Sequence, residues 1–132
     1  GSFVSHVAEV AADGNRIKVE KFWSAADCGP VINLSGAKNQ IEGAIVDALS
    51  TAQLELTYKD GAIEQSNFHD YMLATFDQAP EVECHFVQSD YPPMGMGEPP
   101  IAPATPAMTN AIFAATGVRI REQPWSKAGI TV

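Results

Sequence analysis

The chain has 132 residues, the length of one domain, and a chain of this size buries roughly two thirds of the surface its unfolded form exposes. Sixteen acidic residues against eight basic ones leave a net charge of −8, a field that repels phosphate backbones and anionic lipid surfaces and argues against nucleic acid as a partner. An apolar share of 45% is too high for a disordered chain, and no window reaches the roughly 18 consecutive apolar residues of a membrane span.

No basic segment followed by an apolar run opens the chain, so no signal peptide is expected, and Gly1-Ser2 reads as a tag-cleavage scar. Phe3–Val10 alternates in part, with Val4, Val7 and Val10 among polar neighbours. Ile17–Ala25 resumes after the turn signal Asp13-Gly14-Asn15, and the two runs predict a β-hairpin. Asp27-Cys28-Gly29-Pro30 breaks the strand. Ala37, Ile41, Ala44, Ile45, Ala48, Leu49 and Ala52 then recur with a period of about 3.6, which predicts a helix with Ser35 as its N-cap. Leu54–Tyr58 and Ala62–Gln65, joined by Lys59-Asp60-Gly61, predict a second hairpin.

Ser66–Gln78 has no clean period and is expected to be irregular. Glu81–Ser89 sets Val82, Cys84 and Phe86 against Glu83 and His85 and predicts a strand. Asp90–Pro103 carries five prolines and two glycines and predicts a loop. Thr105-Pro106 is the expected start of a second helix, lined by Ala107, Met108, Ala111, Ile112 and Ala115, with Gly117 as its stop. Val118–Gln123 reads as a last short strand and 124–132 as a loose tail. The order β-β-α-β-β-β-α-β over a single domain, 1–132, argues an α+β fold. Its sheet is expected to be mixed or antiparallel, with two helices mainly on one face.

Chemistry concentrates in Met94-Gly95-Met96-Gly97-Glu98-Pro99-Pro100. Gly97 lets the backbone approach a ligand closely, and Pro99 restricts Glu98 to extended conformations. A carboxylate on a stiff loop ahead of a helix has the fixed geometry a general base needs. On pattern alone the plainer reading, a charged residue in a surface loop, is the more frequent one. Gln40, with Glu42 and Gly43, lies in the first turns of the first helix, where its amide can donate to and accept from a polar ligand. An ordinary surface glutamine is the more frequent reading of that position.

Metal ligation by side chains is not expected. His69 and Asp70 are adjacent and point apart in an extended segment, and His6 and His85 are distant in sequence. Cys28 and Cys84 form no Cys-x-x-Cys, so zinc and iron–sulfur ligation are not expected. Free thiols are the plainer reading, and a disulfide between the two stays open. No Gly-x-Gly-x-x-Gly follows a strand, and there is no P-loop and no Gly-x-Ser-x-Gly.

Four blocks together resemble one family. They are Ala26-Asp27-Cys28-Gly29-Pro30-Val31-Ile32-Asn33, Gln40-Ile41-Glu42-Gly43, Gln65-Ser66-Asn67-Phe68-His69-Asp70-Tyr71, and Gly97-Glu98-Pro99-Pro100-Ile101-Ala102-Pro103-Ala104. The last continues into Asn110–Gly117. The family is the molybdenum-cofactor-binding large subunit of the xanthine dehydrogenase and aldehyde oxidase family. Within it the chain is most similar to the bacterial branch of isoquinoline 1-oxidoreductase beta subunits and aldehyde dehydrogenases.

The resemblance implies an oxidoreductase that oxidises an aldehyde or N-heterocycle with water-derived oxygen, Glu98 serving as general base. It implies that Gln40 hydrogen-bonds molybdopterin, that Gly97 belongs to the cofactor-binding block, and that the pterin dithiolene holds the molybdenum. Cys28 is structural in that scheme. Met94 and Met96 stand where smaller residues are common, which reshapes substrate access. The chain is then a C-terminal fragment, inactive alone. The remainder of the large subunit and an iron–sulfur electron-transfer subunit complete the enzyme, with periplasmic residence by similarity. The alternative is a non-catalytic binding or assembly module of the same fold.

Overall fold

Ile17 and Val19, then Phe22, Ser24 and Ala26, are all buried, so the inward set of one strand changes parity between Val19 and Phe22. Strict alternation would turn one of these groups out to solvent. In the computed structural model, which describes all 132 residues, a β-bulge resolves the conflict. Strand β1 (Phe3–Asp13) pairs antiparallel with β2 (Arg16–Asp27). Glu9 lies opposite Lys21 but Val10 opposite Val19, so Glu20 is the extra residue. Gly14, at φ 61, opens the tight turn between the two strands.

Strand β5 (Glu81–Phe86) adds to the other side of β2 in parallel, giving a mixed sheet of order β1-β2-β5. A parallel pair requires a crossover. Here the crossover is helix α1 (Leu34–Gln53) and a small exposed hairpin, β3 (Tyr58–Lys59) and β4 (Ala62–Ile63). Asp60 and Gly61, both at positive φ, make the two-residue turn of that hairpin. Helix α2 (Ile101–Thr116) follows the Pro/Gly loop. The buried faces of α1 (Ile41, Ile45, Ala48, Leu49, Ala52) and α2 (Ala104, Met108, Ile112) join the inward residues of β2 in one core. Phe3, Val7 and Trp23 on the opposite sheet face are exposed. Both helices therefore cover one face of the sheet, the α+β architecture expected, and no helix is long and apolar enough to cross a membrane.

Four local expectations are corrected. The N-cap of α1 is Asn33, not Ser35, because the Asn33 side chain already accepts from the Gly36 amide at 2.9 Å. Helix α2 begins at Ile101, ahead of Thr105-Pro106. Pro103 falls in the first turn, where an amide has no intrahelical acceptor. Pro106 removes one helical bond, tolerated because the face of Ala104, Met108 and Ile112 is fully buried.

Val118–Gln123 forms no strand. The expected loose tail instead supplies the pairing. Thr131 bridges Arg16 in parallel, with the Ile17 amide donating to the Thr131 carbonyl at 2.7 Å and the Thr131 amide to the Asn15 carbonyl at 3.0 Å. Trp125 and Ile130 are buried, and burial rather than position in the chain decides whether a terminus is ordered. Cys28 and Cys84 are free, and burial pushes both thiols up, away from the reactive thiolate.

Trp125→Ala is expected to cost about 3–5 kcal/mol of unfolding free energy in urea titration, as a buried large side chain does. A loose tail would cost nothing. In the Ser66–Tyr71 turn, the Asp70 carboxylate accepts from the Asn67 amide (2.9 Å), the Ser66 amide (2.9 Å) and the Ser66 hydroxyl (3.1 Å). These bonds hold its pKa down from 3.8 to about 2. The folded value is the lower one, so the turn is fully stabilised above pH 3.8 and loses that support as pH falls through about 2. The Ser66 and Asn67 amide signals should titrate with that low midpoint, and Asp70→Asn should remove the step.

Candidate functional site

The site begins where β2 ends. Ala26 accepts from the Val87 amide at 2.8 Å, carrying the β5 strand past its last ladder pair. The Asp27 carboxylate then accepts from the Ser89 hydroxyl (2.6 Å) and the Gly29 amide (3.2 Å) through the same oxygen. The Cys28 carbonyl accepts from the Met94 amide at 2.9 Å. Gly29 sits at φ 71. A side-chain carbon there would collide with the Tyr91 carbonyl oxygen and lie 2.6 Å from that of Pro92. Only glycine lets the loop close this far.

The loop is also held from β1 and its N-terminal flank. The Ser2 hydroxyl donates to the Gly95 carbonyl at 2.7 Å, and His6 Nε2 lies 3.0 Å from the Pro100 carbonyl. Met96 and Pro100 are buried as the loop's two apolar anchors. Between them Gly97 is half-buried and Glu98 is exposed. The Ile101 amide donates to the Glu98 carbonyl at 3.0 Å, closing the turn that leads into α2. The carboxylate thus projects from a backbone fixed on both sides.

Gln40 lies on the exposed side of α1. Its Oε1 is 3.7 Å from where a Cβ on Gly97 would be, so a side chain at 97 would occupy the space beside this amide. The structure therefore brings Gln40 and Gly97 together, with Glu98 the next residue. An open concavity of about 190 Å³ adjoins Gln40, lined also by Cys28, Val31, Asn33, Met94 and Met96 but not by Gly97 or Glu98. The amide has both donors and an acceptor to offer there. No group of three or more His, Cys, Asp or Glu side chains is placed to hold a metal ion.

Sequence reasoning missed His6, Ser2 and Ser89, single residues whose partners lie far along the chain. Gly29 carried a usable signal, since a glycine in the turn just past a strand end lets another backbone approach closely.

A family model for the molybdopterin cofactor-binding domain matches residues 2–80. The match includes Gln40 and the Asp27–Pro30 turn and stops before Glu98. Curated relatives extend further. The chain is 33% identical over 115 residues to isoquinoline 1-oxidoreductase subunit beta of Brevundimonas diminuta, covering 86% of this chain and 15% of that protein. It is 35% identical over 127 residues to the membrane-bound aldehyde dehydrogenase (pyrroloquinoline-quinone) of Gluconacetobacter polyoxogenes, covering 94% and 16%. The crystal structure of quinoline 2-oxidoreductase from Pseudomonas putida 86 superposes with a TM-score of 0.73 at 28% identity, over 83% of this chain and 15% of that one. The chain belongs to the molybdopterin cofactor-binding domain family. It spans about 15% of the length of the relatives it matches.

Gly29→Ala tests the seat of the loop. Strain at the left-handed φ and the clash with two carbonyls are expected to cost about 1–3 kcal/mol or more. Hydrogen exchange at the Met94 amide should accelerate, while exchange at the Ile45 and Leu49 amides in α1 should hardly change.

Proposed function

We propose that this chain is part of a molybdenum hydroxylase large subunit, contributing Glu98 as general base and Gln40, beside Gly97, as a molybdopterin contact. The observation that carries the reading is the approach of the Gln40 amide to the Gly97 backbone, directly before the Glu98 carboxylate. When bound, the cofactor supplies the metal that activates water and accepts the two electrons.

The chain's own residues do the remaining work. Glu98 takes up the proton that the water-derived oxygen gives up as it adds to the electron-poor carbon of an aldehyde or N-heterocycle. Gln40 orients the pterin through its amide. Gly97 leaves the space that a side chain would fill. Asp27, Gly29 and Cys28 hold the loop so that the carboxylate meets the substrate in one direction.

Two observations support the view that the isolated chain is inactive. The concavity of about 190 Å³ is open and smaller than the roughly 300–1,000 Å³ of a pocket that encloses a ligand. Large apolar side chains also face solvent, with Phe76 97% and Ile32 84% exposed and Phe68 and Met72 close behind. Such exposed apolar side chains are where the remainder of the large subunit would pack. An iron–sulfur subunit then carries electrons away.

In the complete enzyme, Glu98→Gln is expected to lower kcat by about 10²–10⁴-fold, with molybdenum and pterin content unchanged. Gln40→Ala should instead lower cofactor occupancy. Elemental analysis with the mass of the released cofactor separates molybdopterin from the quinone that one relative's name carries. Stoichiometric molybdenum and steady turnover in the 132-residue chain alone would overturn the incomplete-cradle reading.

A further inference from the structure

Glu98 is followed by two prolines, whose rings fix φ near −65°. Pro100 stands at φ −72, ψ −19, and the Ile101 amide closes back on the Glu98 carbonyl. The stretch from Glu98 to Pro100 therefore has few free torsions. Whatever holds the Pro100 carbonyl also holds the backbone from which the base projects.

His6 holds it. The ring comes from the inward side of β1 and places Nε2 3.0 Å from the Pro100 oxygen. A carbonyl only accepts, so Nε2 carries the proton and Nδ1 does not. Nδ1 is buried and has no hydrogen-bond partner. The ring stands edge-on to Phe22, at 5.6 Å between centroids and 88° between planes. Burial pushes the imidazole's pKa down, and the Pro100 bond opposes this only in part, so the ring stays neutral with one N–H. A phenyl ring would fill the same place without leaving a buried nitrogen unpaired. The imidazole adds one thing to the fold that phenyl lacks, the Nε2–H.

We infer that His6 is the positioning residue of the general base: its Nε2–H fastens the Pro100 carbonyl and thereby fixes the backbone that presents the Glu98 carboxylate. This rests on the reading of Glu98 as the base. A merely structural histidine replaced by phenylalanine would cost stability through the lost bond but leave kcat unchanged. Replacing a positioning histidine would lower kcat, since a misplacement of about 1 Å in an active site can cost about 100-fold in rate.

The test uses the complete, cofactor-loaded enzyme with His6→Phe, His6→Gln and His6→Asn, and Glu98→Gln as reference. For His6→Phe, kcat should fall about 10–100-fold with KM within about twofold and molybdenum content unchanged. Hydrogen exchange at the Ile101 amide should accelerate with and without cofactor. His6→Gln, whose amide nitrogen is as many bonds from Cβ as Nε2, should restore both readouts. His6→Asn, one bond shorter, should restore neither. Wild-type kcat in His6→Phe would overturn the inference whatever the Ile101 exchange, as would equal behaviour of the Gln and Asn variants. If His6→Phe does not fold, the Gln–Asn comparison decides alone. Full activity in Glu98→Gln would instead remove the base reading, while accelerated Ile101 exchange in His6→Phe would still uphold the clamp.

Discussion

The closure of the proline-rich loop onto Gly29 is the constraint on which the rest of the site depends. The Tyr91 and Pro92 carbonyls occupy the space where any other residue would carry a side chain. That contact is close because polar groups on both sides are satisfied. Asp27 takes the Ser89 hydroxyl and the Gly29 amide, and the Cys28 carbonyl takes the Met94 amide. A loop with five prolines has few amides to spend on such bonds, so each one it makes fixes much of its path.

The sheet brings the other half of the site to this loop. The bulge at Glu20 keeps both Val19 and Phe22 in the core, and β2 pairs along its length with β1 on one side and, over Lys21–Ala26, with β5 on the other. Because β2 and β5 are parallel, the chain between them must cross over, and α1 is that crossover. It packs on the same face as α2, which follows the loop. Gln40 on α1 and Gly97 on the loop meet for this reason, although they are distant in sequence.

A site so arranged is rigid but open. Its concavity is shallow, its carboxylate is exposed, and apolar residues such as Phe76 and Ile32 face solvent around the domain. The chain spans about 15% of the relatives it matches. The domain nonetheless keeps its own core and the geometry of its loops.

The sequence by itself determined the α+β class, the first hairpin, the Asp60-Gly61 turn, the face of α1, strand β5, the Gly117 stop and the family. All of these rest on local periodicity, turn chemistry or short motifs. It pointed to Gln40, Gly97 and Glu98 as candidates but could not bring them together. It also misplaced the N-cap of α1, the start of α2, and the order of Val118–Val132. Those depended on competition among distant groups. Asn33 reached the Gly36 amide, burial overrode Pro106, and Trp125 and Ile130 found room in the core while Thr131 paired beside Ile17. Only the tertiary structure decided that His6 and Ser2 meet the proline-rich loop, because such bonds join residues more than ninety positions apart. No periodicity along the chain encodes which partner a lone polar side chain finds across that distance.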